Sequence, residues 1–512
     1  MRSAGGWLPV QHTSESDSRA RIPGEVKLVS SNYFRRSVGV VALIAAAAML
    51  GSCGKRHPDP DATQGVTPSV ILIVIDTLRA DYLGTYGFDG PISPELDKLA
   101  EESVLFERCS SQAPWTTPSM AAMMTSLYPE AHGVRLAPDD PRSLDGWRQR
   151  WTRAIPDSTT TLAECLRNRG YRTAAFVANP WLVKGLGFNQ GFGTFDESAA
   201  DQGNRNATML LHSGLRWLRS METTGDPTFL YVHLMDVHGP YTASDFDFDK
   251  VKDSAGLGPA RTLPHSGLQH IEKYLLSPGW ARTQDRRQLR VWRGRYAAGV
   301  HAADRRLGVF IQALRDENLW EDQLVIVTSD HGEELFDHGG WDHGFNLYEH
   351  QLHVPLLIRL PNGRLGGTRV ADLVRLVDLM PTLLNLANAE LPPGMIGLDL
   401  PPLLTAGRET EDSQRLAFAT SVKDRPGNTS IFDGRFKLIS DLSKRQLRLY
   451  DIAVDPGEQT NLAEDEPAIV ARLGKQLIKE IARVAPGEST TDKASEIPQE
   501  QLDRLRELGY LP

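Results

Sequence analysis

The chain has 512 residues, is 40% hydrophobic and 24% charged, and carries a formal net charge of −9 at pH 7. That balance suits a globular protein long enough for one large α/β domain with an appended subdomain, or for two or three ordinary domains. The acidic charge, with no basic stripe interleaved with aromatics, excludes a nucleic-acid binder; three cysteines without a Cys-x-x-Cys pair give neither a disulfide framework nor structural zinc.

In chain order, a leader comes first. Arg35-Arg36 precedes an apolar run, Val38 to Leu50, which closes in Leu50-Gly-Ser-Cys53. The run is shorter than the roughly 20 residues that a spanning helix needs. Residues 1–52 therefore read as a signal peptide whose end resembles a bacterial lipobox, with Cys53 lipidated; an uncleaved apolar anchor is the alternative. The paired arginines match a twin-arginine signal only loosely. Either way the remainder is expected in an exported compartment, the periplasm or outer membrane, attached through an N-terminal lipid. Residues 53–67, rich in Pro and Asp and without apolar periodicity, form the tether. No later run is apolar enough to cross a membrane, and no internal repeat is visible.

Ser69-Val-Ile-Leu-Ile-Val-Ile-Asp76 is a continuous β-branched run ending in a carboxylate, the pattern of a buried parallel strand. A helix is expected from Ser93 to about Glu102, a short strand at Val104–Phe106, then Ala113-Pro-Trp-Thr-Thr-Pro118 ahead of an apolar helical run. Because Pro disfavours the α region for the residue before it, Thr116 and Thr117 are expected on an extended turn, with the helix starting beyond them. A hydroxyl at that position is either an N-cap or a reactive group at a helix end suited to anions. Thr159 to Arg169 reads as helix, Arg172–Val177 and Phe229–Met235 as strands, and residues 242–290 as a long polar insertion over the site. A helix from Trp292 to Glu317 precedes the strand Leu324–Ser329, which delivers Asp330-His331-Gly332. The strand Val354–Arg359 and a helix at Val377–Leu384 follow. From residue 407 a smaller C-terminal subdomain is expected, with a hairpin turning at Asp433-Gly434, a partner strand Leu447–Asp451, and a helix from Pro467 to Val484. The fold class that results is α/β, a doubly wound and mainly parallel sheet over residues 68–406 with a smaller α+β unit at 407–512.

Asp76, Asp330 and His331, with Asp236, His238 and His343 as weaker candidates, all fall at or just after strand ends. In a parallel sheet those ends share one edge, where open α/β folds bind ligands. Several Asp and His residues recurring there point to a divalent metal. Imidazole beside carboxylate favours zinc or manganese, with calcium or magnesium open. Such an ion lowers the pKa of a neighbouring hydroxyl, which makes Thr116 a candidate nucleophile.

These motifs resemble the sulfatase family of the alkaline phosphatase superfamily. The resemblance rests on Val74-Ile-Asp-Thr-Leu-Arg-Ala-Asp81, Thr116-Thr-Pro-Ser-Met-Ala-Ala-Met-Met-Thr125 and Thr328-Ser-Asp-His-Gly-Glu333. It extends through His343-Gly-Phe-Asn-Leu-Tyr-Glu349, Asp378-Leu-Met-Pro-Thr-Leu-Leu384 and Leu449-Tyr-Asp-Ile-Ala-Val-Asp-Pro456. It implies metal ligands at Asp76, Asp330 and His331, a nucleophile at Thr116, and ester-oxygen contacts from His238 and His343. The family's Cys-x-Pro-x-Arg, whose cysteine becomes formylglycine, is here Thr116 and Met120. Its second aspartate is Thr77, and its sulfate-binding Lys and His positions are Ala178 and Pro180. A threonine at that point is similar to the phosphodiesterase and phosphoethanolamine- or phosphoglycerol-transferase branches.

The expectation is an exported, metal-dependent hydrolase of a sulfate or phosphate ester that uses Thr116 on a phosphoester or phosphodiester, with transfer open beside hydrolysis. Its partners are a small-molecule, glycan or lipid ester and, through the anchor, a membrane. The alternative is a non-catalytic lipoprotein that binds a glycan, lipid or protein. Cys109 and Cys165 either pair or stay as buried thiols.

Overall fold

The computed structural model describes residues 67–134, 154–201, 207–252, 286–400, 415–421, 428–441 and 446–484. The leader, Cys53, most of the tether, most of the 242–290 insertion and the expected boundary near residue 406 lie outside them. The described residues all belong to one compact unit that begins at Val66.

Ten strands precede the C-terminal sheet, and seven principal helices, the last of them packed on that sheet, complete the unit. The strands are β1 (Ser69–Ile75), β2 (Val104–Ser110), β3 (Arg172–Val177), β4 (Thr194–Asp196), β5 (Thr228–Leu234), β6 (Gln323–Thr328), the short pair β7 (Glu334–Leu335) and β8 (Trp341–Asp342), β9 (His353–Arg359) and β10 (Arg369–Arg375). The helices are α1 (Pro94–Glu101), α2 (Thr116–Thr125), α3 (Leu162–Asn168), α4 (Ala207–Met221), α5 (Arg286–Asp316), α6 (Leu379–Leu386) and α7 (Pro467–Val484). Eight strands form one sheet in the order β10-β2-β9-β6-β1-β5-β3-β4.

β1 shows why the sheet is central. Val70, Leu72 and Val74 pack into one apolar layer, with Met120 and Met123 of α2, Leu162 of α3 and Met380 of α6. Ile71, Ile73 and Ile75 pack into the opposite layer, with Leu96 of α1, Leu210 of α4 and Tyr296 of α5. A strand covered on both faces needs apolar residues at every position, which is why the run does not alternate. Its six side chains are fully buried, and at about 1.5–3 kcal/mol each they contribute roughly 10 kcal/mol or more to the core.

β1 pairs in parallel with β5 and β6, and β3 in parallel with β5. The residues that follow β6, β1, β5 and β3 therefore emerge side by side at one edge. One strand departs from the parallel expectation: β9 runs antiparallel to both β6 and β2. The segment 329–352 between β6 and β9 stays at the carboxyl edge, so the chain re-enters the sheet from the side it left. β2 consequently points the same way as β6 and delivers the Thr116 turn to the same edge.

The C-terminal subdomain is a four-stranded antiparallel sheet, β11 (Ala417–Thr420), β12 (Thr429–Phe432), β13 (Phe436–Asp441) and β14 (Gln446–Asp451), covered by α7. Phe418, Ile431, Leu438, Leu449, Leu473 and Leu477 close its core against Tyr128. The Asp433-Gly434 turn falls between β12 and β13, and β14 is the partner strand expected from Leu447–Asp451. Cys109 and Cys165 are buried free thiols.

Candidate active site

Thr116 is placed by α2, which begins two residues earlier than Pro118 suggested. Trp115 is the N-cap residue, with no side-chain cap bond, and Thr116 is the first helical residue. Pro118 sits inside the first turn, where its missing N–H costs nothing because those donors have no intrahelical acceptor. Thr116 is thus not an N-cap, and its hydroxyl is free to face the sheet edge. Ser119, one turn along, ties α2 to that edge by donating to the Asp330 carbonyl oxygen (2.6 Å).

Asp76, Asp330, His331 and Thr116 come together and are fully buried. His331 Nδ1 lies 2.8 Å from the Gly332 carbonyl oxygen. Its proton is committed there, so Nε2 carries a lone pair. That Nε2 lies 3.3 Å from Thr116 Oγ1, 3.5 Å from Asp330 Oδ2 and 3.8 Å from Asp76 Oδ1. The latter two carboxylate oxygens are buried and have no hydrogen-bond partner. A buried unpaired carboxylate oxygen is costly. Two of them converging on an imidazole lone pair form a donor set that a divalent cation satisfies, so the residues present fit a metal ion.

The remaining oxygens are held from behind. Asp76 Oδ2 accepts from Asn179 Nδ2 (2.6 Å) and His233 Nε2 (3.1 Å), and Tyr231 donates its hydroxyl to His233 Nδ1 (2.8 Å). Asp330 Oδ1 accepts from the backbone N–H groups of His331 (2.9 Å) and Thr77 (3.2 Å). Burial alone pushes both carboxyls up. At Asp76 the surrounding imidazoles of His238, His233 and His331 outweigh burial and hold the group below the usual carboxylate range. At Asp330 burial is reinforced by the charge of Asp76, and the pKa rises. Hydrogen bonds donated from behind in this way orient the two carboxylates and favour their charged, metal-binding form.

Asn179 also reaches toward Thr116 Oγ1 (3.4 Å), and its amide orientation is fixed because Oδ1 accepts from the Trp181 N–H (2.8 Å). His238 and His343 line the same centre: the ring centroids of His238 and His343 are 5.0 Å apart, and those of His331 and His343 4.5 Å. His343 Nδ1 donates to Glu333 Oε1 (3.0 Å), and Tyr241 donates to Glu333 Oε2 (3.0 Å). Asp236, in contrast, is turned away: it pairs with Arg306 and accepts from the Ala207 N–H. Met120, where the family's arginine would stand, is buried with its sulfur 4.0 Å from the Tyr231 hydroxyl oxygen.

Gly332 explains the close turn after His331. A Cβ at this position would lie 2.1 Å from the His350 carbonyl oxygen, which is backbone and cannot yield. Gly332→Ala is expected to destabilise the fold by at least about 2 kcal/mol, read as a lower midpoint in chemical denaturation. An unchanged midpoint would mean that this approach is not maintained in solution.

The geometry agrees with the comparisons. Residues 68–389 match the Sulfatase family profile, well over half of the chain, and residues 336–485 match the profile described as "N-sulphoglucosamine sulphohydrolase, C-terminal". The chain belongs to the sulfatase family. Arylsulfatase K of Mus musculus is 24% identical over 491 residues, covering 86% of this chain and 83% of that protein. A multifunctional alkaline phosphatase superfamily protein of Trinickia caryophylli is 26% identical over 481 residues, covering 79% of this chain and 92% of that protein. The phosphonate monoester hydrolase of Agrobacterium radiobacter has the same alkaline-phosphatase-like fold, with a TM-score of 0.63 at 22% identity over 81% of this chain and 96% of that one. Family members are ester hydrolases that depend on divalent metals, and the chain is an ester hydrolase of this family. Sequence reasoning missed Asn179, His233 and Glu333. Asn179 stands just past the end of β3, where the strand-end rule that found Asp76 also applies. His233 is hidden inside the apolar run of β5, and nothing local marks it.

Proposed function

We propose that this protein hydrolyses a phosphoester, with a phosphodiester or phosphonate monoester as the preferred class, through the hydroxyl of Thr116. The observation that carries the reading is the buried Thr116 Oγ1, 3.3 Å from His331 Nε2, beside the two unpaired oxygens of Asp76 and Asp330. A divalent ion, zinc or manganese by donor chemistry, held by Asp76, Asp330 and His331 would supply positive charge at the ester oxygens and lower the pKa of a neighbouring hydroxyl.

The chain's own residues do the rest. Asn179 fixes Asp76 and the Thr116 hydroxyl in one orientation. His238 and His343 contact the nonbridging oxygens, with Glu333 orienting His343. Thr116 Oγ1 gives its proton to solvent and bonds to phosphorus as the alcohol oxygen leaves, taking a proton from water. Water then attacks the phospho-threonine, the Oγ1–P bond breaks and Thr116 is regenerated. A sulfate ester is disfavoured because threonine lacks the second hydroxyl with which a formylglycine hydrate expels sulfate.

The names of the relatives, sulfatases and a phosphonate monoester hydrolase, support an ester of sulfate or phosphonate as the substrate class. The discriminating experiment offers the metal-loaded protein an aryl phosphodiester, an aryl phosphonate monoester, an aryl phosphate monoester and an aryl sulfate. Fastest turnover of the diester or phosphonate is expected; turnover of the sulfate alone would sink the reading.

Export and lipidation at Cys53 complete the proposal, supported by the Leu50-Gly-Ser-Cys53 sequence. Cys53→Ser is expected to shift the protein from the membrane fraction to the soluble fraction or leave an uncleaved precursor. Unchanged processing and fractionation would contradict it.

A further inference from the structure

Glu333 and Glu334 are neighbours that serve different places. Glu333 reaches His343 in the active site, whereas Glu334, at the start of β7, accepts from Asn346 Nδ2 (2.6 Å) and pairs with His350 Nε2 (2.7 Å). The other Glu334 oxygen accepts the backbone N–H groups of His338 (2.7 Å) and Gly340 (3.3 Å), which folds the β7–β8 turn back over it. That turn places the His338 ring beside His350, with centroids 5.1 Å apart. The ring is clamped flat on Tyr348, at 3.6 Å and an interplanar angle of 4°.

His338 Nε2 lies 3.1 Å from the Glu458 carbonyl oxygen, so its proton is donated there. The Nδ1 atom is left with a lone pair that is buried and has no hydrogen-bond partner. One ligand atom from each of Glu334, His338 and His350 lies within 4.8 Å of the others. His350 Nε2, although 2.7 Å from Glu334, is likewise buried without a hydrogen-bond partner, so a proton there leaves both imidazole nitrogens unsatisfied. A divalent cation in place of that proton satisfies all three.

We propose that Glu334, His338 and His350 form a second metal site, separate from Asp76–Asp330–His331, that takes a divalent transition metal, with zinc the best fit. Two imidazoles and a carboxylate are a zinc donor set, with the fourth position left to water. The three ligands come from β7, the turn after it and the short helix Glu349–Leu352. His338 is in turn bonded to Glu458, beyond β14 of the C-terminal subdomain. An ion here would pin the β7–β8 hairpin, whose far end leads into His343. Its role is therefore structural support of that substrate-facing residue, and the proposal does not depend on which ester the enzyme cleaves.

The test is metal stoichiometry of the chelator-stripped protein after reloading with zinc and gel filtration. Wild type is expected to hold two ions per chain, Asp330→Asn one, His338→Phe one and the double variant none. Phenylalanine keeps the stack on Tyr348 while removing the ligand nitrogen. A measurement that needs no change at His338 is X-ray absorption at the zinc edge of Asp330→Asn, which should show two imidazole ligands at about 2.0–2.1 Å. The proposal is overturned if wild type holds one ion that Asp330→Asn removes, if His338→Phe leaves the stoichiometry unchanged, or if the Asp330→Asn protein holds no zinc. The last result would leave Glu334 and His350 as a plain ion pair.

Discussion

Thr116→Ala is expected to lower kcat/KM for the preferred phosphoester by at least about 10³-fold, the scale seen when a covalent nucleophile is removed from a preorganised site. The loss should fall on kcat, because alanine leaves Asp76, Asp330, His331, His238 and His343 in place to bind the ground state. The substitution removes a hydroxyl and a methyl from a fully buried position. The fold should tolerate this, since Ser119 still anchors α2 to the Asp330 carbonyl. Thr116→Ser keeps the hydroxyl and should retain measurable turnover with the same substrate preference. If the alanine variant matches wild type in kcat, Thr116 is a bystander.

The second large effect is expected at Asp330. Asparagine preserves Oδ1 and its bonds from the Thr77 and His331 backbone N–H groups, and replaces the unpaired Oδ2 with an amide nitrogen. Loss of one charged ligand should weaken metal binding at this site by at least about 10²-fold, exceeding what loss of a residue that only hydrogen-bonds a ligand costs, with activity lost in parallel. The metal-stripped variant should be as stable as metal-stripped wild type or more so. Two carboxyls are buried together there, and the proximity of Asp76 already drives the Asp330 pKa upward. Removing one relieves that repulsion. Calorimetry of chelated wild type and Asp330→Asn reads the sign directly. A variant that keeps its metal, or that unfolds well below chelated wild type, would assign Asp330 a structural role instead.

The contrast between Asp330 and Asp236 shows where sequence reasoning reached and where it stopped. Both follow apolar strands, and both qualified as candidates. Asp330 faces the site because it continues β6 at the sheet's carboxyl edge, whereas Asp236 is drawn to Arg306 on α5, a partner 70 residues away that no local pattern reveals. Strand interiors were legible because two-sided burial leaves a continuous apolar run, as in β1. The direction of β9 was not, since reversal depends on where the 329–352 segment travels rather than on what β9 contains. The start of α2 was misplaced because a proline was read as a barrier. In the first turn of a helix it removes only a donor that had no acceptor. The supports of the site, Asn179 behind Asp76 and Glu333 behind His343, are ordinary polar residues whose role exists only through contacts across the fold.

The most direct test of covalent catalysis by Thr116 is the stereochemical course at phosphorus, using a chiral phosphorothioate diester hydrolysed in isotopically labelled water. Each in-line displacement inverts configuration. Attack by Thr116 followed by attack of water inverts twice, so net retention is the result predicted here. Net inversion would mean that water attacks the ester in a single step, and that the buried hydroxyl at the head of α2 only binds.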